Sequence, residues 1–296
     1  MSLTDLIIRA FCLVDDALAE IVALNGPLRR RGPRPTLADS EVLTIEVVGT
    51  LLRIDTDAEL YRRFRRHHAD LFPALACVHR TTFARQSAAL WGVKAMLWDR
   101  LVALTRRDSR LSIVDSFPVP VCRFARATFC QRFADVAAYG RDEVARQTFY
   151  GLRAHVRVEW PGVVVACDLA PGNVHDLAMV EEVSADAAGT VLGDRAYWSP
   201  KTRERLAEQG VGLLAPYQSK RRDPAPWPWW LTQIRRRIET VFGQFVGRLN
   251  AKRVWARDRW HLTSRWYRRL CAHTLGVVLC QAEGLPPLRF SELIAD

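Results

Sequence analysis

Apolar residues recur at helical spacing through the first third of the chain. The first series runs from Leu3 to Ile21. After a break at 25–27 comes a basic arm, residues 28–35, that proline and glycine keep from being helical throughout. Residues 36–41 supply capping residues for a helix whose apolar periodicity covers 42–52, and later segments predict helices over 57–66, 80–91 and 93–106. The stretch up to residue 108 is therefore predicted to be an all-helical region without a strand.

Beyond residue 108 the pattern changes to short apolar runs. Residues 111–117 predict a buried strand, and 151–159 and 163–168, joined by Pro161-Gly162, predict an antiparallel hairpin. The remaining segments predict helix 176–187, strand 190–194, helix 200–209, strand 211–216, helix 231–249 and helix 261–282. Their order predicts an α/β fold in which helices flank both faces of a mixed sheet.

These patterns divide the 296 residues into two domains and a tail. Residues 1–108 form a helical N-terminal domain, and 109–284 form an α/β domain with a Pro/Trp-rich insertion at about 218–230. Residues 285–296 are a C-terminal tail.

The net charge of the chain is concentrated in one segment. From Lys220 to Leu270 there are 14 basic and three acidic residues, and because the whole chain carries +11, the remainder is neutral. Such a segment predicts a polyanionic partner, with nucleic acid as the first candidate.

Other features of the composition bear on where the protein works. No apolar run approaches the length that spans a bilayer, and the N-terminus lacks the pattern of a secretory signal. Seven cysteines, with no Cys-x-x-Cys pair, are typical of reduced thiols rather than disulfides or zinc ligands. We expect a cytoplasmic protein without a membrane partner.

Three acids stand where chemistry is usually placed. Asp115 and Asp194 end apolar strands, and Glu239 lies on a helix inside the basic segment. Neighbouring strands are about 4.8 Å apart, so if these two strands are adjacent, both aspartates can reach one metal ion. Carboxylates suit Mg²⁺, and a pair of such ions would stabilise the attacking and leaving oxygens of a phosphoryl transfer.

Each acid also has a structural explanation. An aspartate at a strand end is often a turn former or a helix cap, and Asp168 is read in the same way. Glu239 could pair with Arg235 one helical turn earlier, and such a pair stabilises a helix by about 0.3 kcal/mol. His175 and Asp176 are typical of a helix start capped by Asn173 and Asp176; an orienting role for His175 stays open.

Four motifs together resemble a known family. They are Val-Asp-Ser-Phe-Pro at 114–118, Ala-Pro-Gly-Asn-Val-His-Asp at 170–176, Gly-Asp-Arg-Ala-Tyr at 193–197 and Arg-Arg-Ile-Glu-Thr-Val-Phe at 236–242. In this order they are similar to DDE transposases of bacterial insertion sequences, most of all the insertion-sequence-982 family within the insertion-sequence-4-like group. The resemblance covers roughly residues 36–282.

The resemblance implies an RNase H-like fold in which Asp115, Asp194 and Glu239 bind Mg²⁺ or Mn²⁺, with two ions expected. It implies cleavage at the ends of an insertion sequence and transfer of the 3′-hydroxyl into target DNA by at least a dimer. It also implies that the protein works at the bacterial nucleoid. DNA, as terminal inverted repeats and as target, is the expected partner.

The sequence departs from the pattern of the wider group at two positions. The wider group has Tyr-x₂-Arg-x₃-Glu-x₆-Lys, and here Arg235 and Glu239 fit while Thr232 and Val246 replace the tyrosine and the lysine. Arg235 is then expected to hold phosphate. Arg248 or Lys252 could supply the missing cation, although their register differs.

Further residues are predicted to contact DNA. Residues 79–90 resemble the second helix of a helix-turn-helix, with Arg80 and Arg85 near its start, although a solvated helix explains them almost as well. Aromatic residues among cations can stack on an unpaired base, whereas burial is the ordinary fate of tryptophan. The candidates in and after the insertion are Lys220, Arg221, Arg222, Trp227, Trp229, Trp230 and Arg236.

Two other functions remain open from the sequence. One is an RNase H-like nuclease that cuts without joining, and the other is a non-catalytic DNA-binding protein built on a helix-turn-helix.

Overall fold

The computed structural model describes residues 1–29, 31–219 and 226–294. These residues form two compact units. The helical unit comprises residues 1–105, 245–251 and 255–296, and the sheet unit comprises residues 106–244 and 252–254.

Six α-helices are described in the helical unit. They are α1 (Leu3–Asn25), α2 (Asp39–Leu51), α3 (Asp57–His67), α4 (Arg80–Ala89), α5 (Trp91–Ala103) and α9 (Arg259–Ala282). Helix α2 is buried along almost its whole length, as its run of apolar residues requires. Helix α9 packs against α5 and α2, and thus belongs to this unit although its sequence follows the α/β region.

A buried network of charged residues ties these helices together. The ammonium of Lys94 on α5 lies 2.7 Å from the carboxylate of Glu46 on α2, and both side chains are 1% exposed. Arg268 on α9 lies 3.4 Å from Glu46 and 2.8 Å from Asp57 at the start of α3. Burial alone would raise the pKa of Asp57, but Arg268 and Arg265 lower it below its usual range. The charges therefore pair with one another inside the helical unit.

The basic segment, Lys220 to Leu270, is only partly a surface for a polyanion. Arg268 and Arg269 are 2% and 3% exposed. Arg269 donates hydrogen bonds to the backbone carbonyls of Leu249 and Asn250. Some of the charge that the sequence assigns to a partner thus serves the interior of the helical unit.

Six strands and three α-helices are described in the sheet unit. The strands are β1 (Asp108–Pro120), β2 (Ala138–Asp142), β3 (Gln147–Trp160), β4 (Val163–Pro171), β5 (Gly189–Leu192) and β6 (Val211–Leu214). The helices are α6 (Asp176–Val183), α7 (Pro200–Glu208) and α8 (Trp229–Gly243). The fold is a mixed sheet flanked by helices, as the sequence predicts.

The strands run in the order β2-β3-β1-β5-β6. Strand β1 is antiparallel to β3 and parallel to β5. Strand β3 pairs with β2 through its first five residues and with β4 through the rest. The predicted hairpin is β3–β4, whereas β2 was not predicted because its sequence, AYGRD, has no apolar alternation.

Helices cover both faces of the sheet. Val114 and Val191 belong to a core cluster with residues of α6 and α7. On the opposite face, Phe117 contacts Phe242 of α8, with ring centroids 4.8 Å apart. Helix α8 ends at Gly243 and continues as one π-helical turn to Arg248, where the sequence predicts a single helix to 249. No helix in the described parts of the chain is long and apolar enough to cross a membrane.

Candidate active site

The register of two parallel strands brings Asp115 and Asp194 together. In the β1–β5 pair Ile113 lies opposite Leu192, so two residues further on Asp115 is aligned with Asp194. Strand β5 has ended by then, and the side chain of Asp194 caps a short 3₁₀ helix by accepting a hydrogen bond from the Ala196 N–H at 2.7 Å. Both acids are partly buried, on the sheet face that α8 covers.

The Arg235 guanidinium lies between the carboxylates of Glu239 and Asp115. One nitrogen of the Arg235 guanidinium lies 3.8 Å from the Asp115 carboxylate, and another lies 3.6 Å from the Glu239 carboxylate. Glu239 is 58% exposed, one helical turn beyond Arg235 on α8. The ion pair expected from the i,i+4 spacing is thus present, and the same guanidinium also faces the strand.

The surroundings of Asp115 raise its affinity for protons. Burial, assisted by the negative charges of Asp194 and Asp176, raises the pKa of Asp115 to about 7, against the opposing effects of the Ser116 N–H and Arg235. Burial also raises the pKa of Tyr197 well above its usual value, together with Asp176, Asp115 and Asp194. The negative charges of Asp176, Asp115 and Asp194 therefore all act on Tyr197, and a cation near these carboxylates would relieve their repulsion.

Glycine at 193 lets Tyr197 take this place. A Cβ atom added to Gly193 would lie 2.6 Å from the Cβ atom of Tyr197. The first and last residues of the Gly-Asp-Arg-Ala-Tyr motif are thus in contact, and the turn between them holds Asp194.

Asp176 is a member of the acidic group that the sequence reading assigned to capping. Its carboxylate accepts a hydrogen bond from the Ser116 hydroxyl, next to Asp115. The buried ring of His155 lies 3.5 Å from it. The side chain that caps α6 is instead His175, whose Nδ1 accepts the Leu177 N–H at 3.2 Å, not Asn173. The available signal was the one acid of the Asn-Val-His-Asp motif, which is the first acid after β4.

The donor atoms suit the metal ions that the resemblance implies. Oxygen ligands from Asp115 and Asp194 are what Mg²⁺ and Mn²⁺ prefer, and the pKa of Asp115 is raised first by burial and then by the neighbouring negative charge of Asp194. Among the described residues, however, no group of three or more acids, histidines or cysteines is arranged to hold a metal ion. Arg235 lies between Asp115 and Glu239, so a cation held by all three acids requires that contact to open.

The other residues that were predicted to contact phosphate have different surroundings. Arg236 is exposed on α8. Lys252 pairs with Asp142 at 3.1 Å in the sheet unit, whereas Arg248 donates to the Phe290 carbonyl at 3.4 Å in the helical unit. Lys220, Arg221 and Arg222 lie outside the described residues.

The predicted DNA-contacting helix and tryptophans are accessible. Arg80 and Arg85 are exposed on α4 of the helical unit. Trp229 and Trp230 are 74% and 51% exposed at the start of α8.

Trp227 instead borders a cavity of about 770 Å³ in the sheet unit. Trp198 and Tyr217, which also line this cavity, stack with ring centroids 4.7 Å apart. These two rings follow different strands, β5 and β6, so no local pattern connects them with the tryptophan cluster.

Comparisons with known proteins agree with this architecture. In the search of solved structures, the chain matches the cryo-EM structure of a piggyBac transposase synaptic complex with hairpin DNA, with a TM-score of 0.52 and 10% identity. The alignment covers 96% of this chain and 76% of that one, and supports the fold. No curated protein sequence matches the chain. Residues 106–252, which include Asp115, Asp194 and Glu239, match the family model of the transposase DDE domain.

Proposed function

We propose that the protein is the DDE transposase of a bacterial insertion sequence of the insertion-sequence-982 family. It cleaves DNA at the ends of its element and joins the freed 3′-hydroxyl to target DNA. The observation that carries the proposal is the β1–β5 register, which aligns Asp115 with Asp194 under the helix that bears Glu239. The match of residues 106–252 to the transposase DDE domain supports it.

Each residue of the site would have its own role. Asp115, Asp194 and Glu239 would hold two Mg²⁺ or Mn²⁺ ions, which when bound activate the attacking oxygen and stabilise the leaving one. Arg235 would turn from the carboxylates to the phosphate of the DNA, and Arg236 would bind a neighbouring phosphate. Asp176, through the Ser116 hydroxyl, positions the backbone beside Asp115. Because two DNA ends must be joined in one event, the active complex would be at least a dimer.

The test is a strand-transfer assay with a pre-cleaved DNA end from the flank of the gene. Wild-type protein should join the free 3′-hydroxyl to a target plasmid when Mg²⁺ or Mn²⁺ is present. Asp115→Asn should abolish both nicking and joining while DNA affinity stays within about twofold, because only one ligand is neutralised and the DNA-binding surface is intact.

Asp108→Asn is the matched control, since Asp108 lies at the far end of the same strand, pairs with Arg110 and should leave both steps unchanged. Nicking without joining by the wild type would favour the nuclease. Nicking by Asp115→Asn would refute the assigned site.

A further inference from the structure

The connection that follows β1 exposes aromatic rings between arginines. Residues 124–129 form a 3₁₀ helix in this connection, and Tyr139 follows on β2. Phe129 is 84% exposed, Phe124 55% and Tyr139 47%. We call the following residues the arginine–aromatic surface: Arg123, Phe124, Arg126, Phe129 and Tyr139.

The local packing holds part of this surface in place. The Phe124 ring meets Tyr139 edge-on with centroids 6.3 Å apart, and Tyr139 in turn contacts Tyr150 of β3 at 5.0 Å. The Val121 N–H donates to the Tyr150 carbonyl at 3.1 Å, and Ala127 is buried beneath the 3₁₀ helix. The exposed rings therefore belong to an ordered surface of the sheet unit, where large apolar groups usually mark a binding site.

The charges of this surface suit phosphate. Arg123 and Arg126 are both exposed, and neither forms an ion pair with any residue in the described parts of the chain. Residues 121–137 contain three arginines and one acid. An unpaired arginine beside an aromatic ring can bind a phosphate oxygen while the ring packs against sugar or base.

Strand register places the surface on the same sheet face as Asp115. Asp115 lies opposite Val156 on β3, and Tyr139 lies opposite Tyr150, six residues earlier on that strand. Cross-strand partners and residues an even number apart share a face. Two strand spacings and six residues amount to roughly 20 Å between Asp115 and Tyr139, which is less than one turn of duplex DNA, about 34 Å.

We propose that the arginine–aromatic surface is a second DNA contact, which binds the phosphate backbone of the duplex that leads into the carboxylate site. Arg123 and Arg126 neutralise phosphates, and Phe124 and Phe129 pack against the deoxyribose. The contact rests on the proposed function only in taking DNA as the substrate. It adds a docking surface that is separate from Asp115, Asp194 and Glu239.

The test compares two double variants of the full chain that remove the same charge. Arg123→Ala/Arg126→Ala alters the surface. Arg110→Ala/Lys201→Ala is the control, because Arg110 lies at the opposite end of β1 and Lys201 lies on α7, across the sheet. Fluorescence anisotropy with a labelled 40-base-pair duplex, without divalent metal, measures affinity between 50 and 300 mM salt.

The surface variant should bind more weakly, and the slope of log K against log salt should fall by about 1.8, since each phosphate contact contributes about 0.9. The control should keep the wild-type slope. Phe124→Ala/Phe129→Ala should weaken binding with the slope unchanged. All variants should retain the wild-type midpoint of thermal unfolding, because the substituted side chains are exposed.

An unchanged salt slope in the surface variant overturns this proposal. The proposed function would still stand if nicking depends on the metal ion and on Asp115. A change in sedimentation mass, with DNA affinity unaltered, would also overturn the proposal of a second DNA contact, because the surface would then bind a second copy of the chain. Failure of the wild type to bind any duplex would refute both proposals.

Discussion

The guanidinium of Arg235 lies 3.8 Å from the carboxylate of Asp115. It also faces Glu239 at 3.6 Å. In this arrangement an arginine neutralises two of the three acids, so that a metal ion bound by these acids would compete with Arg235 for the same oxygens.

Replacing this arginine should therefore strengthen metal binding. Arg235→Ala is expected to bind Mn²⁺ severalfold more tightly than the wild type when DNA is absent, while strand cleavage falls because a phosphate contact is lost. Calorimetric titration with Mn²⁺ measures the first effect. Arg236→Ala removes the same charge from an exposed neighbour and should change the affinity for Mn²⁺ much less. If both substitutions changed this affinity equally, the idea that Arg235 competes with the metal ion for the carboxylates would be wrong.

The buried pair of Lys94 and Glu46 should be costly to break. Lys94→Met leaves the Glu46 carboxylate with only Ser87 and Arg268, and we expect a loss of about 3–5 kcal/mol in the free energy of unfolding of the helical unit. The double variant Lys94→Met/Glu46→Leu should lose less than the single one, because no unpaired charge remains.

Urea denaturation measures these losses. Arg62→Met, at a side chain that is 67% exposed on α3, is the control and should lie within about 0.5 kcal/mol of the wild type. A double variant less stable than Lys94→Met would argue against the charge effect.

His273 should make the stability of the helical unit depend on pH. Its ring stacks on Phe245 at 4.9 Å, and burial lowers its pKa to about 3. The unfolded chain takes up this proton near the ordinary value of about 6.5, so stability is complete above that pH and decreases as the pH falls towards 3. The loss attributable to His273 between pH 7 and pH 5 is about 2 kcal/mol.

His273→Phe should remove that part of the slope, since phenylalanine keeps the stacking and takes up no proton. Urea denaturation at pH 7, 6 and 5 compares the two proteins. A slope that is the same in both would show that other groups account for the acid sensitivity.

The cavity beside Trp198 and Tyr217 should accept an unpaired base. A DNA end that carries 2-aminopurine at an unpaired terminal position is expected to lose fluorescence on binding, because the base would stack against these rings. Trp198→Ala should largely restore the fluorescence, whereas Trp260→Ala, at a ring 50% exposed in the helical unit, should not. Quenching that survives in Trp198→Ala would place the base elsewhere.

The sequence by itself determined most elements of the fold. Helical periodicity and period-two alternation are local properties, so short stretches of the sequence are enough to predict α1 to α9 and five of the six strands. The same stretches placed Asp115 and Asp194 at apolar strands and Glu239 on a helix. Strand β2 was missed because Ala138–Asp142 is held by its pairing with β3, which no local pattern records.

Only the tertiary structure decided which side chains meet. The alignment of Asp115 with Asp194 depends on strand pairing across nearly 80 residues, and the approach of Asp176 to Ser116 depends on how α6 packs. Packing also decided that Arg268 and Arg269 are buried rather than available to a polyanion. Charge is a property of composition, but the energy of a charge depends on its surroundings, and those exist only once the chain has folded.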